Sequence, residues 1–132
     1  MSSVLDALKT HWADQDALTD LVPAARVQLG PLNPGSYDTP AVGLVAETIA
    51  RGWQSSTGRY PQITVEIEAQ ATSVDTLEAL REAMEQHLES WTADRYGVLQ
   101  LADLQMLITR PAESPSRLWI GTATIRYDTE AL

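Results

Sequence analysis

The sequence predicts an α+β fold in which a mainly antiparallel β-sheet packs one face against two α-helices. Three observations predict it. Residues 63–71 alternate apolar and polar, residues 74–91 carry an apolar stripe at helical spacing, and the segments run helix, strands, helix, strands. The chain's 132 residues are the size of one domain, spanning 1–132, and no internal repeat or interdomain linker divides them.

Each element follows from its own pattern. Val4, Leu5, Leu8 and Trp12 lie at helical spacing after Ser3, which predicts a helix over 3–13. Leu18, Leu21 and Val22 suggest a second short helix that Pro23 must end. Residues 26–29 alternate as a strand, and 30–40, with three prolines and two glycines, form a loop long enough to serve as a contact arm. A strand over 41–50 and a polar hairpin tip over 52–61 follow. Ile63, Val65, Ile67, Ala69 and Ala71 then alternate with Thr64, Glu66, Glu68 and Gln70, as in a sheet with one buried and one wet face.

A helix is expected over 74–91, capped by Ser73, with Leu77, Leu80, Met84, Leu88 and Trp91 on its core stripe. Glu78, Glu82, Glu85 and Glu89 form a separate acidic stripe. Residues 101–108 read as a less regular strand, and 110–117 as a two-proline hairpin loop. Residues 118–127 read as a closing strand with Trp119, Ala123, Ile125 and Tyr127 on one face.

Charge and composition narrow the function. A net charge of −9 repels phosphate backbones and anionic lipid, which argues against general nucleic-acid binding. The absence of cysteine excludes disulfides, thiol nucleophiles and thiolate metal sites. The first residues lack the basic start and apolar run of a signal peptide, and no stretch reaches the ~20 apolar residues of a membrane span, so a soluble, intracellular protein is expected.

Catalytic patterns are not found. His11 and His87 have no partners at metal-ligand spacing, the serines stand in turn-like surroundings, and the single lysine, Lys9, belongs to no phosphate loop. Successive turns of one helix make Glu78, Glu82, Glu85 and Glu89 equal, solvated groups, unlike the differentiated pair of an acid/base site. Their structural reading is a solvated face, and their functional reading an acidic surface with a task. No enzyme activity, cofactor or metal is therefore expected. The less usual residues gather in loops: Trp53, Arg59 and Tyr60 around one hairpin tip, Arg110 and Arg117 around another. Trp and Arg are enriched at interface hot spots, so these residues are candidate partner contacts. The structural alternative folds the aromatics onto the sheet edge and sets the arginines against nearby acids.

Several segments together resemble a family. They are Val4-Leu5-Asp6-Ala7-Leu8-Lys9 with Asp16-Ala17-Leu18 and Leu21-Val22, then Arg26-Val27 before a proline-rich loop, and a Pro40-Ala41-Val42 strand. The Thr64-Val65-Glu66-Ile67 strand, the helix opening at 73–80 and the last strand at 119–127 continue the likeness across nearly the entire chain. In these the sequence resembles small tail-completion (tail terminator) proteins of long-tailed phages. The resemblance implies a structural protein of the virion tail, assembled in the host cytoplasm. It implies a ring, typically a hexamer, that caps the head-proximal end of the tail tube, stops tube polymerisation and offers the head-tail joining surface. The implied partners are further copies of the chain, the tail tube protein and a head-tail connector protein, with DNA present only in passage. The family carries no catalytic residues. The Glu78, Glu82, Glu85 and Glu89 stripe would then suit a channel lining that repels passing DNA. Two alternatives stand beside this one: a neck or head-closure connector, and a small ligand-binding or hydrolytic α+β domain using Glu66, Glu68 or His87.

Overall fold

A computed structural model describes residues 4–32, 40–51, 61–93, 96–110 and 118–129, with the backbone alone at 50, 51, 61 and 129. Helix α1 (Val4–Ala13) buries Val4, Leu8 and Trp12, one residue per turn, as the spacing predicts. The Trp12 indole N–H donates to the Val22 carbonyl at 3.1 Å inside the core. That bond pins α1 to the chain leaving the one-turn helix α2 (Asp16–Thr19). A 3-10 turn (Ala24–Arg26) leads into β1 (Val27–Leu29).

Strands β2 (Ala41–Arg51) and β3 (Pro61–Ala71) form an antiparallel pair, with a bulge between Leu44 and Ala46. Helix α3 (Val74–His87) follows, its Ser73 Oγ accepting from the Asp75 N–H at 3.1 Å as an N-cap does. Then come β4 (Ser90–Ala93), β5 (Gly97–Thr109) and β6 (Trp119–Thr129). The six strands form one sheet in the order β1-β2-β3-β6-β5-β4, antiparallel except where β1 runs parallel to β2. The expected α+β architecture is what forms.

One face of the sheet carries the core. Ile63, Val65 and Ile67 of β3 and Ala123, Ile125 and Tyr127 of β6 are buried there, and α3 packs across β3, β6 and β5. Helix α1 packs against β1 and β2 at one margin and against β4 at the other, so the sheet curls around it. On the opposite face, Glu66, Thr122, Thr124 and Arg126 are exposed. Gln70, expected on that wet face, is buried instead, at the end of the sheet where Leu32 and Leu118 are buried too.

The helix expected over 74–91 ends earlier, at His87. Leu88 leaves helical geometry, and Ser90-Trp91-Thr92-Ala93 alternates exposed and buried as β4, pairing with residues 97–100. Leu88 and Trp91 are both buried, so the apolar positions were right while their period was ambiguous: three residues apart suits a helical stripe, and alternation suits a strand. Strand β5 also starts earlier than the expected 101, at Gly97, and its bulge between Leu101 and Asp103 accounts for the irregular pattern.

Candidate functional site

The two hairpins that carry the candidate contacts are anchored at opposite ends of the sheet. Arg51 pairs with Pro61 at one end, and the segment between them holds Trp53, Arg59 and Tyr60. Through the ladder, that end is also where Gln62 meets Asp128 of β6 and Asp128 meets Gln100 of β5. At the other end Ala41 pairs with Gln70, Gln70 with Ile120, and Ile120 with Thr109, so the segment holding Arg110 and Arg117 leaves from there. Trp53, Arg59, Tyr60 and Arg117 themselves lie outside the described residues. Arg110 is exposed, with its guanidinium 4.3 Å from the centre of the Trp119 ring. This cation–π stack sets Arg110 against Trp119 at the base of its hairpin.

The acidic stripe is real but shorter on the helix than expected. Glu78, Glu82 and Glu85 are exposed on α3, and Glu89, also exposed, lies past the helix end. Arg81 pairs with Glu85 at 2.6 Å, one turn on, so a single positive charge interrupts the face. Such an exposed pair contributes at most about 0.5 kcal/mol.

A groove of about 460 Å³ runs between α1 and β4, bordered by Asp6, Thr10, His11, Asp14, Trp91 and Thr92. Its aromatic floor is tightly organised. His11 stacks on Trp91 with ring centres 5.9 Å apart, and Trp91 meets Tyr127 edge-on at 5.4 Å. The His11 Nε2–H donates to the His87 carbonyl at 2.7 Å, since a carbonyl can only accept. His87 in turn lies with Nδ1 3.3 Å from the Gln15 amide oxygen. His11 thus joins α1 to the end of α3, and His87 joins the end of α3 to the start of α2. The phenol of Tyr127 is held neutral far above its usual range by burial, with the neighbouring Trp91 N–H pulling weakly the other way. Neither the Tyr127 hydroxyl nor the Trp91 N–H reaches full hydrogen-bond geometry with any partner among the described residues.

The structure does not bring Glu66, Glu68 and His87 together. Glu66 and Glu68 occupy the sheet face that turns away from the helices, whereas His87 sits at the end of α3 on the other side, so the three do not converge. Among the described residues no three His, Asp or Glu side chains gather as a metal site would need. None of their helices is long and apolar enough to cross a membrane.

The open margins of the sheet are a feature that sequence reasoning did not locate. Strand β4 covers β5 only along residues 97–100, and β1 covers β2 only along residues 42–44. Among the described residues no strand lies beyond 102–109 of β5 or 45–51 of β2. The signal was present in Leu107, an apolar residue on the polar phase of its strand, which is 68% exposed.

No family model matches the chain, and no curated protein matches it in sequence. Among solved structures, a chain from the "virion of native gene transfer agent (GTA) particle" has the same fold, with a TM-score of 0.63. The chain shares the fold of a virion component. The match covers 98% of this chain and 96% of that one at 18% identity, so the likeness spans nearly the full length of both.

Proposed function

We propose that this chain is a structural protein of a phage-type virion, forming a ring that caps the head-proximal end of the tail tube, ends tube growth and presents the head-joining surface. The observation that carries the reading is the end-to-end likeness to a gene transfer agent virion chain. A further feature fits it. A ring set between a tube and a head needs two unlike axial faces, and the two arginine-bearing hairpins leave from opposite ends of one sheet. Contacts between unlike surfaces close into a ring only when the rotation between copies closes, so a terminator needs one face that fits the tube and another that does not repeat it. In this reading Trp53, Arg59 and Tyr60 contact one axial partner, Arg110 and Arg117 the other, and Glu78, Glu82, Glu85 and Glu89 line the passage for DNA. The ring is proposed as a hexamer, as the sequence resemblance to tail-completion proteins implies.

Light scattering over a concentration series, alone and with purified tail tubes, tests this together with electron microscopy of tube ends. The expected result is a ring-sized species, or a monomer that caps one tube end and blocks its extension. A monomer or dimer that ignores tubes overturns the reading, and binding to the head connector but not to tubes moves the role to head closure.

A further inference from the structure

The two margins of the sheet are stepped in opposite senses. At the margin ending in β4, the far half of β5 is recessed, leaving residues 102–109 as an open run among the described residues. At the other margin the step is reversed, because β1 projects beside residues 42–44 of β2. Following the ladder from strand to strand shows where the projecting β1 stands relative to that recess. Leu29 is level with Leu44, Ile67, Ala123 and Met106; Gln28 with Leu107; Val27 with Ile108. The projection on one margin and the recess on the other are at the same height.

Direction and facing agree as well. β1 runs parallel to β2, and three successive antiparallel pairings separate β2 from β5, so β1 and β5 run in opposite directions. A second copy in the same orientation would bring its β1 antiparallel to β5 of the first. Directly opposed residues share a sheet face, which sets Val27 and Leu29 of one copy beside the half-buried Ile108 and Met106 of the other, on the core side. Among the described residues the large apolar side chains that remain exposed are Leu29 at 47%, Ile49 at 41% and Leu107 at 68%, and all three lie on these stepped margins. The β5 run is also poorly guarded: residues 102–109 include no lysine and no proline, and their one charge, Asp103, is paired with Arg126 at 3.0 Å.

We infer that copies of this chain join edge to edge, β1 of one filling the recess beside residues 102–109 of β5 in the next, with Gln28 opposite Leu107. The inference rests on the ring reading and names its subunit contact. The joint is heterologous, because the two margins differ, and so it builds rings or open chains rather than a twofold dimer. Main-chain hydrogen bonds along the recess supply affinity, and the Val27/Leu29 phase sets the register.

The cysteine-free chain allows a direct test. Opposed residues in an antiparallel pair lie about 4.5–5.5 Å apart at Cα, within disulfide reach. The full-length Gln28→Cys/Leu107→Cys variant is expected to give a ladder of covalent multimers on oxidation. The Gln28→Cys/Glu68→Cys variant, with its second thiol in the middle of the sheet, is expected to give none. Leu107→Lys is expected to weaken self-association about tenfold or more while thermal unfolding of the monomer stays unchanged. Rings that form without the cross-link and tolerate Leu107→Lys overturn the edge contact and leave the ring reading standing. Cross-linked chains of open length keep the edge contact and overturn the ring. A chain that stays monomeric on tubes and gives no ladder overturns both.

Discussion

Tyr127 shows how much a single buried side chain is asked to do. It lies fully in the core, its ring filling space against Trp91, while its hydroxyl has no well-formed hydrogen bond among the described residues. Removing an unsatisfied buried hydroxyl costs little and keeps the packing, so Tyr127→Phe is expected to change stability by no more than about 1 kcal/mol at neutral pH. The pH dependence has a definite sign. Burial raises the folded-state pKa above the unfolded value of 10.0, so the group's contribution is complete below about pH 10. It is lost as pH rises from there towards the folded value, because the unfolded chain gives up its proton first. Denaturant unfolding of both proteins from pH 8 to 11 should show the wild type losing up to about 1.4 kcal/mol per pH unit more than Tyr127→Phe above pH 10. Equal slopes would show that the phenol is reached by water.

At the scale of elements, the crossing from β1 to β2 depends on a glycine. A side chain at Gly43 would place its Cβ 2.5 Å from the Gly30 carbonyl oxygen and 3.1 Å from Leu32 Cγ, because the chain leaving β1 lies directly over this point of the sheet. Gly30 also donates its N–H to the Leu44 carbonyl at 2.8 Å, which fixes the crossing in place. Gly43→Ala is expected to cost about 1–3 kcal/mol, since backbone rather than a flexible side chain must move. Gly121→Ala meets mainly the end of the Met106 side chain, which can swing aside, so a smaller cost is expected from the same denaturation measurement. A reversed order would mean that the β1 crossing yields more easily than the core around Met106. Gly43 reads in sequence as one more strand residue; only the crossing chain above it reveals the constraint.

For the whole molecule, charge and shape divide the surface. The exposed carboxylates Glu78, Glu82 and Glu85 lie along α3, and the sheet margins lie to either side of the curled core. If the acidic stripe faces a channel, its work is electrostatic: a ring repeats each charge once per copy, and the summed field keeps a passing polyanion off the wall. Replacing Glu78, Glu82, Glu85 and Glu89 with Gln is expected to leave ring assembly intact and to lower infectivity, as measured by plaque or transfer assays. Unchanged infectivity would remove the stripe from the channel. The exposed positions of all four make loss of folding an unexpected outcome, and circular dichroism checks it.

The sequence by itself determined the fold class and the core positions. Strict alternation in β3, the 3.6-residue stripe of α3 and the Ser73 cap are local signals, written in residues a few places apart, and local physics alone makes them legible. It carried Trp91 into the helix, because an apolar residue near the end of a stripe suits a last helical turn as well as a first strand; pairing of residues 90–93 with 97–100 makes it a strand residue instead. The candidate contacts were named from residue type, and only the ladder registers place their two hairpins at opposite ends of the sheet. Strand order, the stepped margins and the alignment of Gln28 with Leu107 were likewise decided by tertiary structure. These relations join residues nearly eighty positions apart through three intervening strands, and no period in a linear sequence encodes the height at which two edges of one sheet come to match.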